Sequence, residues 1–478
     1  MLIRIRGNND MKSKLVYFLF VILYSTANGQ FGSVGVVDAR SMSLAKTYTA
    51  TTSGIYSVGI NPANLSLNND YLVQFSTVLP VPSVSLGTGS NFISINDINY
   101  YFGGVNGEPR FLTERDKEEL NSLFDGGGAV FASVTTTLFS AGVKPDKKIG
   151  AFAFSIYDYA GMRVNIPGAL ADLALSGNAI GRKFDLSEGD IKGWWIRNFA
   201  LSYSREMPEL KLFDNFAAGV TLKLVHGYSY VGTGKNVSSF STGSSAELTG
   251  ETDLVGYSSF SDMMGVKYDF DSVSTQSDFS LFPSPAGTGF GFDIGFAATL
   301  KEWAFSLALT DVGLIKWDKN AAEFNSFGYL YIDDISNEDQ LDSAKESITG
   351  DSKKIDHFYT GLSTALRVGV SRMLWEGATK FPGSLLLAFD YNQGLNEMPG
   401  NSVQPRFSIG AEWKPMDYFP YLRTGFLLGG GLGFGWAFGL GVDAGLLELH
   451  FATSDMQSVV APNATKTLSV SFGSRWKF

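Results

Sequence analysis

The chain of 478 residues contains no cysteine, few charged residues and only three histidines. The absence of cysteine excludes disulfide bonds, cysteine-ligated zinc, iron-sulfur clusters and thiol nucleophiles. Charged residues make up 18% of the chain, whereas a soluble globular domain has about 25%. The 37 basic and 47 acidic residues leave a net charge of -10, which argues against a nucleic-acid partner because phosphate binding needs a basic face. The low share of charged residues indicates that part of the surface contacts something other than water.

The histidines, His226, His357 and His450, leave little scope for acid-base catalysis. We find no G-x-S-x-G, Walker or H-E-x-x-H pattern in the sequence. Acidic residues cluster in several later segments, but without the spacing of a calcium-binding loop. The sequence therefore predicts no catalytic residue, no metal ligand and no cofactor, and hence a protein that is not an enzyme.

The first 29 residues have the pattern of a secretory signal peptide. Basic residues precede the apolar run 15–24, and small and polar residues follow it. This run is too short to span a bilayer as a helix, which takes about 20 apolar residues. We expect export, cleavage after Gly29 and a mature chain that begins at Gln30, whether translation starts at Met1 or at Met11.

Large apolar residues recur at every second position in much of the remaining chain. Within 433–443, glycine and alanine alternate with Phe434, Trp436, Phe438, Leu440 and Val442. A period of two is that of a β-strand with one apolar face. The uncharged stretch 425–442 is too rich in glycine for a transmembrane helix, since each glycine costs roughly 1 kcal/mol relative to alanine. We interpret the apolar face as a wall that contacts lipid.

Fourteen segments of this kind form the predicted strands, at 71–79, 129–143, 148–158, 194–206, 215–227, 289–300, 303–313, 357–372, 383–393, 405–414, 419–428, 433–443, 446–453 and 467–478. Most have the roughly 9 to 11 residues that a tilted strand needs to cross a bilayer. Short turns alternate with long loops, which are 80–128, 159–193, 228–288, 314–356 and 454–466. Lipid offers no hydrogen-bond partner, so the strands must close into a ring. We predict an all-β fold, a 14-stranded antiparallel transmembrane β-barrel over 71–478 with long extracellular loops.

The same alternation points a second set of side chains into the barrel. Its charged members are Lys223, Asp293, Arg367, Asp390, Glu412 and Arg475. Charges are tolerated in a lumen, whereas a basic residue at the middle of the lipid face costs about 2 to 4 kcal/mol. We interpret them as paired charges that hold the wall and a plug together, with ion selectivity as the alternative. Glu448 and His450 also point inward, and a lining role suits them better than catalysis.

Aromatic residues make up 14% of the chain and supply two further features. Trp476 and Phe478 end the last predicted strand and form a C-terminal barrel signature. Aromatic side chains also anchor barrels at both lipid interfaces. The candidates for these girdles are Trp194, Trp195, Trp303, Trp317 and Trp436.

Residues 30–70 precede the first strand and lack its alternation. They are rich in small residues and suit a segment folded against the inner wall. Along them stand Ser43-Leu44-Ala45-Lys46-Thr47-Tyr48, then Ser53 and Gly54, then Asn61-Pro62-Ala63 followed by Leu65. This order resembles the N-terminal hatch of FadL-like outer-membrane transporters, in which a basic and aromatic stretch, a small polar segment and Asn-Pro-Ala precede the first strand of a 14-stranded barrel.

The resemblance implies a hatch over 30–70 with Asn61, Pro62 and Ala63 as its motif. It implies a passive bacterial outer-membrane channel for hydrophobic small molecules such as long-chain fatty acids, surrounded by outer-membrane lipid. It also extends to PorV-type subunits of a protein-secretion system, so a non-transporting subunit or anchor of an outer-membrane protein complex is the alternative. Without the resemblance, Asn61 and Pro62 predict only a turn, because proline fixes φ and excludes the preceding asparagine from the α region.

Overall fold

The computed structural model describes residues 38–67, 71–106, 108–207, 212–264, 266–268, 273–275, 280, 282–334, 337–376, 382–431 and 433–478. The expected signal peptide lies outside these residues, as do both ends of the expected hatch. Strands make up most of the described chain. None of the described helices combines the length and the apolar character needed to cross a bilayer.

Fourteen strands form one closed antiparallel ring. In chain order they are β1 (Val73–Thr77 and Ser83–Ser90), β2 (Gly128–Asp146), β3 (Gly150–Ile166), β4 (Asp190–Glu206), β5 (Asn215–Thr242), β6 (Gly287–Leu300), β7 (Trp303–Trp317), β8 (Phe358–Gly361 and Ala365–Glu376), β9 (Ser384–Gly394), β10 (Arg406–Lys414), β11 (Tyr421–Gly429), β12 (Phe434–Asp443), β13 (Leu447–Thr453) and β14 (Thr467–Lys477). Each pairs with its chain neighbours, and β14 closes the ring by pairing with both parts of β1. The predicted 14-stranded antiparallel barrel is confirmed.

The outer face of the ring is apolar, as the alternation predicts. On β6, Phe290 is 73% exposed, while its neighbours Gly289 and Gly291 are buried. On β12, Phe434 and Leu440 are exposed. Exposed side chains of this kind on most strands form the belt that contacts acyl chains.

Additional elements extend the end of the barrel that carries the long loops. The strands are Lys183–Asp185, Leu248–Phe260, Ala322–Ile332 and Asp351–Lys354, with a separate hairpin of Val266–Tyr268 and Val273–Thr275. The helices are Ile95–Phe102, Glu114–Leu123, Gly168–Ser176, Glu338–Ile348 and Gln457–Val460, and the 3-10 turns are Asp262–Met264 and Pro462–Ala464. The upper part of β5 pairs with Leu248–Phe260, which pairs with Ala322–Ile332. We call these three paired strands the outer sheet.

Residues 38–67, here the N-terminal segment, fold inside the ring. The segment contains a short helix, Ala39–Ser43, and two 3-10 turns, Gly54–Ser57 and Pro62–Leu65. Asp38 caps the helix by accepting a hydrogen bond from the Ser41 amide at 2.9 Å. Nearly every residue of the segment is buried, and the barrel wall supplies most of its surroundings.

Candidate functional site

The Asn61-Pro62-Ala63 turn lies directly against the walls of β5 and β6. The Asn61 side chain accepts a hydrogen bond from the Ala63 amide at 3.0 Å and donates one to the Phe296 carbonyl at 3.1 Å. Opposite the turn, Gly219 and Gly295 face each other across the two strands. A Cβ at Gly295 would lie 1.9 Å from Asn61 Oδ1, so only glycine lets the turn come this close.

The next residues are bound to β4. The Ser204 hydroxyl donates to the Ala63 carbonyl at 2.9 Å, and its oxygen lies 2.7 Å from that of Ser66. Ala63 and Leu67 also pack on two small wall residues, Ala217 and Ala297. The end of the segment therefore contacts three adjacent strands through short side chains.

A second anchor holds the middle of the segment. One oxygen of Asp390, on β9, accepts hydrogen bonds from the backbone amides of Tyr48 at 3.0 Å and Thr49 at 2.8 Å. Arg367, on β8, donates to the Tyr48 hydroxyl at 2.7 Å. Both wall side chains are fully buried, so each charge gains a polar partner from the segment.

The helix of the segment is held by a third anchor, at Glu412 on β10. Arg40 donates to both carboxylate oxygens, at 3.0 and 3.1 Å. Arg423, on β11, binds the same carboxylate and also lies 3.2 Å from His450 Nδ1. One partly buried carboxylate therefore bridges the segment and the wall.

A fourth anchor involves Arg475 on β14. It pairs with Glu448 at 2.8 Å and donates to the Ser53 carbonyl at 3.1 Å. Its guanidinium also lies over the Tyr56 ring, 4.4 Å from the centroid. His450 lies 3.6 Å from the same Glu448 carboxylate, within a group of paired charges.

Two of the six predicted lumen charges serve the wall alone. Lys223 pairs with Asp293 at 2.7 Å and with Asp311 at 2.6 Å. Asp311 lies at a β-bulge of β7 and has a φ of 56°. Thus Arg367, Asp390, Glu412 and Arg475 bind the N-terminal segment, and Lys223 and Asp293 do not. The sequence interpretation missed Arg40, Arg423 and Asp311, although Arg423 shows the inward alternation.

The C-terminal residues complete the ring. Trp476 and Phe478 both stack on Phe75 of β1, with centroids 6.0 and 5.8 Å apart. The Phe478 amide donates to the Val73 carbonyl at 2.8 Å. The predicted C-terminal signature therefore lies at the junction of the first and last strands.

Toward the long loops, the lumen becomes apolar. A buried cluster consists of Trp194, Ile196, Val225, Tyr230, Ala286, Ile315, Trp317, Ala321, Phe358 and Leu362. The Tyr230 ring lies 5.4 Å from both the Trp317 and the Phe358 ring. The placement of Trp194 and Trp317 in interfacial girdles is therefore wrong, because both are buried inside the barrel. We call this set the apolar mouth.

The loop 395–405 crosses the lumen beside the apolar mouth. A Cβ at Gly400 would lie 2.2 Å from the Tyr159 hydroxyl, and Glu397 pairs with Arg163 at 3.6 Å. Tyr159 and Arg163 belong to β3, while the loop joins β9 and β10 on the far side of the ring. The lumen is thus occupied at both ends.

Two small cavities lie between the N-terminal segment and the wall. The larger has a volume of about 50 Å³ and a mixed lining that includes Met42, Lys46, Ser85, Thr135, Asp455 and Ser469. The smaller, of about 20 Å³, is lined in part by Asp38, Tyr56, Ser83 and Tyr157. Neither touches Asn61, Pro62 or Ala63. Among the described residues, no group of three or more histidines and carboxylates is arranged to hold a metal ion.

Comparisons with known proteins give one matching family and several similar solved structures. Residues 62–453 match DUF5723, described as a family of unknown function. No curated protein matches the chain. Among solved structures, a TodX deltaS2S3 mutant, described as a monoaromatic hydrocarbon channel, has 11% identity and a TM-score of 0.47, over 93% of this chain and all of its own.

Two toluene transporters are similar to the same degree. TbuX of Ralstonia pickettii has 12% identity and a TM-score of 0.44, over 95% of this chain and 99% of its own. TodX of Pseudomonas putida has 10% identity and a TM-score of 0.43, over 94% of this chain and 99% of its own. With identities of 10 to 12% and TM-scores below 0.5, these structures show a likeness and support no conclusion about family or function.

Proposed function

This chain belongs to DUF5723, a family of unknown function, and we propose that it is a bacterial outer-membrane channel for hydrophobic small molecules such as long-chain fatty acids. The apolar mouth is the observation that carries the proposal. A lumen built for water or ions is polar, whereas Val225, Ile315 and Trp317 turn apolar surface inward. Such a lining suits an apolar solute.

The N-terminal segment supplies the gate in this proposal. It closes the barrel below the apolar mouth, and it is a separate stretch of chain rather than part of a strand. Its contacts are hydrogen bonds, ion pairs, apolar packing on small wall residues and close approach to glycine, all of which can break without opening the ring. We therefore propose that residues 30–70 form a hatch that moves to let a solute pass, and that Asn61, Pro62 and Ala63 seat it on β5 and β6.

Export fits the same proposal. A transmembrane barrel of this kind belongs in the bacterial outer membrane, with outer-membrane lipid around its apolar belt. We propose that residues 1–29 direct the chain there and are removed. Mass measurement of protein purified from membranes gives a mature chain that begins at Gln30 if the cleavage is placed correctly.

Uptake by liposomes tests the channel. Liposomes that contain the mature barrel are expected to take up oleate faster than empty liposomes, because the apolar mouth gives an apolar solute a favourable lining inside the barrel when the hatch moves. A variant that lacks residues 30–69 is expected to take up oleate faster still and to admit a polar sugar that the intact barrel excludes. Equal oleate uptake by all three preparations would refute the channel.

A second candidate function has its own support. The cavities beside the N-terminal segment measure only about 50 and 20 Å³, and this close filling also suits a non-transporting subunit or anchor of an outer-membrane complex. A partner that copurifies in fixed ratio from native membranes, together with no oleate uptake, would favour this function. Uptake by the isolated barrel would exclude it as the whole explanation.

A further inference from the structure

The outer sheet carries a row of uncovered aromatic rings. On Ala322–Ile332, Phe327, Tyr329 and Tyr331 are 84%, 61% and 50% exposed. Successive side chains of a strand point to opposite faces, so these three residues share one face. The strand pairs in unbroken register with Leu248–Phe260, so the face is continuous across the sheet.

The opposite face of the outer sheet is already covered. The helix Glu338–Ile348 packs there, and the Ser326 hydroxyl donates to the Ile348 carbonyl at 2.7 Å. A Cβ at Gly328 would lie 1.6 Å from the Ser347 carbonyl oxygen. The exposure of the aromatic row is therefore a property of one face, while the other face has an intramolecular partner.

Carboxylates stand beside the rings in register. Asp253 lies opposite Phe327 and binds Lys235 of β5. Glu251 lies opposite Tyr329 and accepts a hydrogen bond from the Ser239 hydroxyl at 3.1 Å. An apolar ligand over this face would strip water from these carboxylates without replacing its hydrogen bonds, which is costly. A cationic ligand suits both the rings and the carboxylates, because ring faces attract a cation and carboxylates form charge-assisted hydrogen bonds with it.

The two sequence segments that contain the added strands of this sheet are rich in acidic residues. Residues 228–288 contain 2 basic and 7 acidic side chains, and residues 314–356 contain 5 basic and 10 acidic ones. Together they carry a net charge of 7 minus 17, or -10, equal to that of the whole chain. A field of one sign steers an oppositely charged partner to the surface and raises its rate of association.

We propose that the aromatic face of the outer sheet is a docking surface for a lysine- or arginine-rich protein segment. Phe327, Tyr329 and Tyr331 supply the central contacts, and Glu251 and Asp253 bind the cationic groups between them. Interfaces draw their specificity from such aromatic centres, while surrounding charge governs the rate of encounter. This role goes beyond channel activity and does not depend on it.

A labelled peptide tests the docking surface. The probe is a fluorescein-labelled dodecapeptide of alternating arginine and serine, titrated with the mature barrel in detergent micelles and followed by anisotropy. The variant Phe327→Ser/Tyr329→Ser/Tyr331→Ser keeps every charge and is expected to bind at least tenfold more weakly, since the rings are lost. A heat-modifiable band on gels confirms that each barrel is folded.

The matched control removes charge from the covered side. Glu338→Gln/Asp339→Asn/Asp342→Asn takes three charges from the helix and leaves the rings intact, so its affinity is expected to fall less than threefold. If both variants lost the same affinity for the peptide, binding would depend only on the negative charge of the protein, and the proposal would be overturned. Unchanged binding by the serine variant, or preference of the face for maltohexaose or N-phenylnaphthylamine over the peptide, would overturn it as well.

Discussion

Replacing Gly219 and Gly295 together with alanine is expected to dislodge the N-terminal segment and make the barrel conduct. The new Cβ atoms would lie 2.5 Å from the Pro62 carbonyl carbon and 1.9 Å from Asn61 Oδ1. Both clashes are with a turn that the wall holds in place, so the turn must leave. We expect open-channel events in planar bilayers to become at least tenfold more frequent, while the barrel itself stays folded.

Gly473→Ala is the matched control for this experiment. Gly473 also faces the lumen, on β14, but a Cβ there has the Ser83 hydroxyl as its nearest neighbour, at 3.2 Å. Its conductance is expected to equal that of the wild type. A closed barrel in the Gly219→Ala/Gly295→Ala variant would show that the turn does not depend on the two glycines.

Glu412→Ala is expected to produce the largest loss of stability. The carboxylate neutralises Arg40 and Arg423, and its removal leaves the buried Arg423 and the partly buried Arg40 guanidinium close together without their anion. Removing one partner of a buried ion pair costs about 3 to 5 kcal/mol. A denaturant titration of the folded barrel, followed by tryptophan fluorescence, measures the change in the free energy of unfolding.

An exposed pair provides the comparison. Glu119 binds Arg115 at 2.8 Å on the helix Glu114–Leu123, with both side chains in solvent. Such surface pairs contribute about 0 to 1 kcal/mol, so Glu119→Ala is expected to leave the unfolding curve almost unchanged. If the two alanine variants lose the same stability, the anchor at Glu412 does not hold the segment to the wall.

The barrel could be predicted from the sequence because lipid imposes a simple rule. A strand with acyl chains outside and a crowded lumen inside must alternate large apolar residues with small or polar ones. β12 shows this rule clearly, with Phe434 and Leu440 outward and Gly435 and Gly439 inward. The same rule pointed Lys223, Arg367 and Glu412 inward, but it could not reveal that Arg367 and Glu412 bind the N-terminal segment while Lys223 does not.

Bulges explain why part of the lumen could not be predicted. At Trp303 and Phe305 the odd-numbered residues of β7 face outward, but the bulge near Asp311 inserts an extra residue. Beyond it, odd-numbered residues face inward, and Trp317 enters the apolar mouth. β4 and β5 have a similar irregularity at Trp195 and Ile196. Alternation read from sequence alone carries no sign of such a shift.

Strand ends were also hard to predict. The predicted first strand, 71–79, stops at a proline pair, whereas β1 resumes at Ser83. Pro80 and Pro82 cannot donate to the ladder, so they interrupt the strand without ending it. The predicted loop 228–288 contains the upper part of β5, because strands above the membrane pair with each other and lose the apolar pattern that lipid imposes.

A reversible cross-link tests most directly whether the N-terminal segment must move inside the lumen. The chain has no cysteine of its own, and the hydroxyl oxygens of Ser66 and Ser204 are 2.7 Å apart, so Ser66→Cys/Ser204→Cys is expected to form a disulfide between segment and wall. Ser140→Cys/Ser155→Cys joins two wall strands whose hydroxyls are 2.6 Å apart and serves as the control. Oxidation is expected to stop oleate uptake only in the first variant, and reduction to restore it. Failure of the two introduced cysteines of the first variant to cross-link, or full uptake by the cross-linked barrel, would contradict a movable segment folded within the ring.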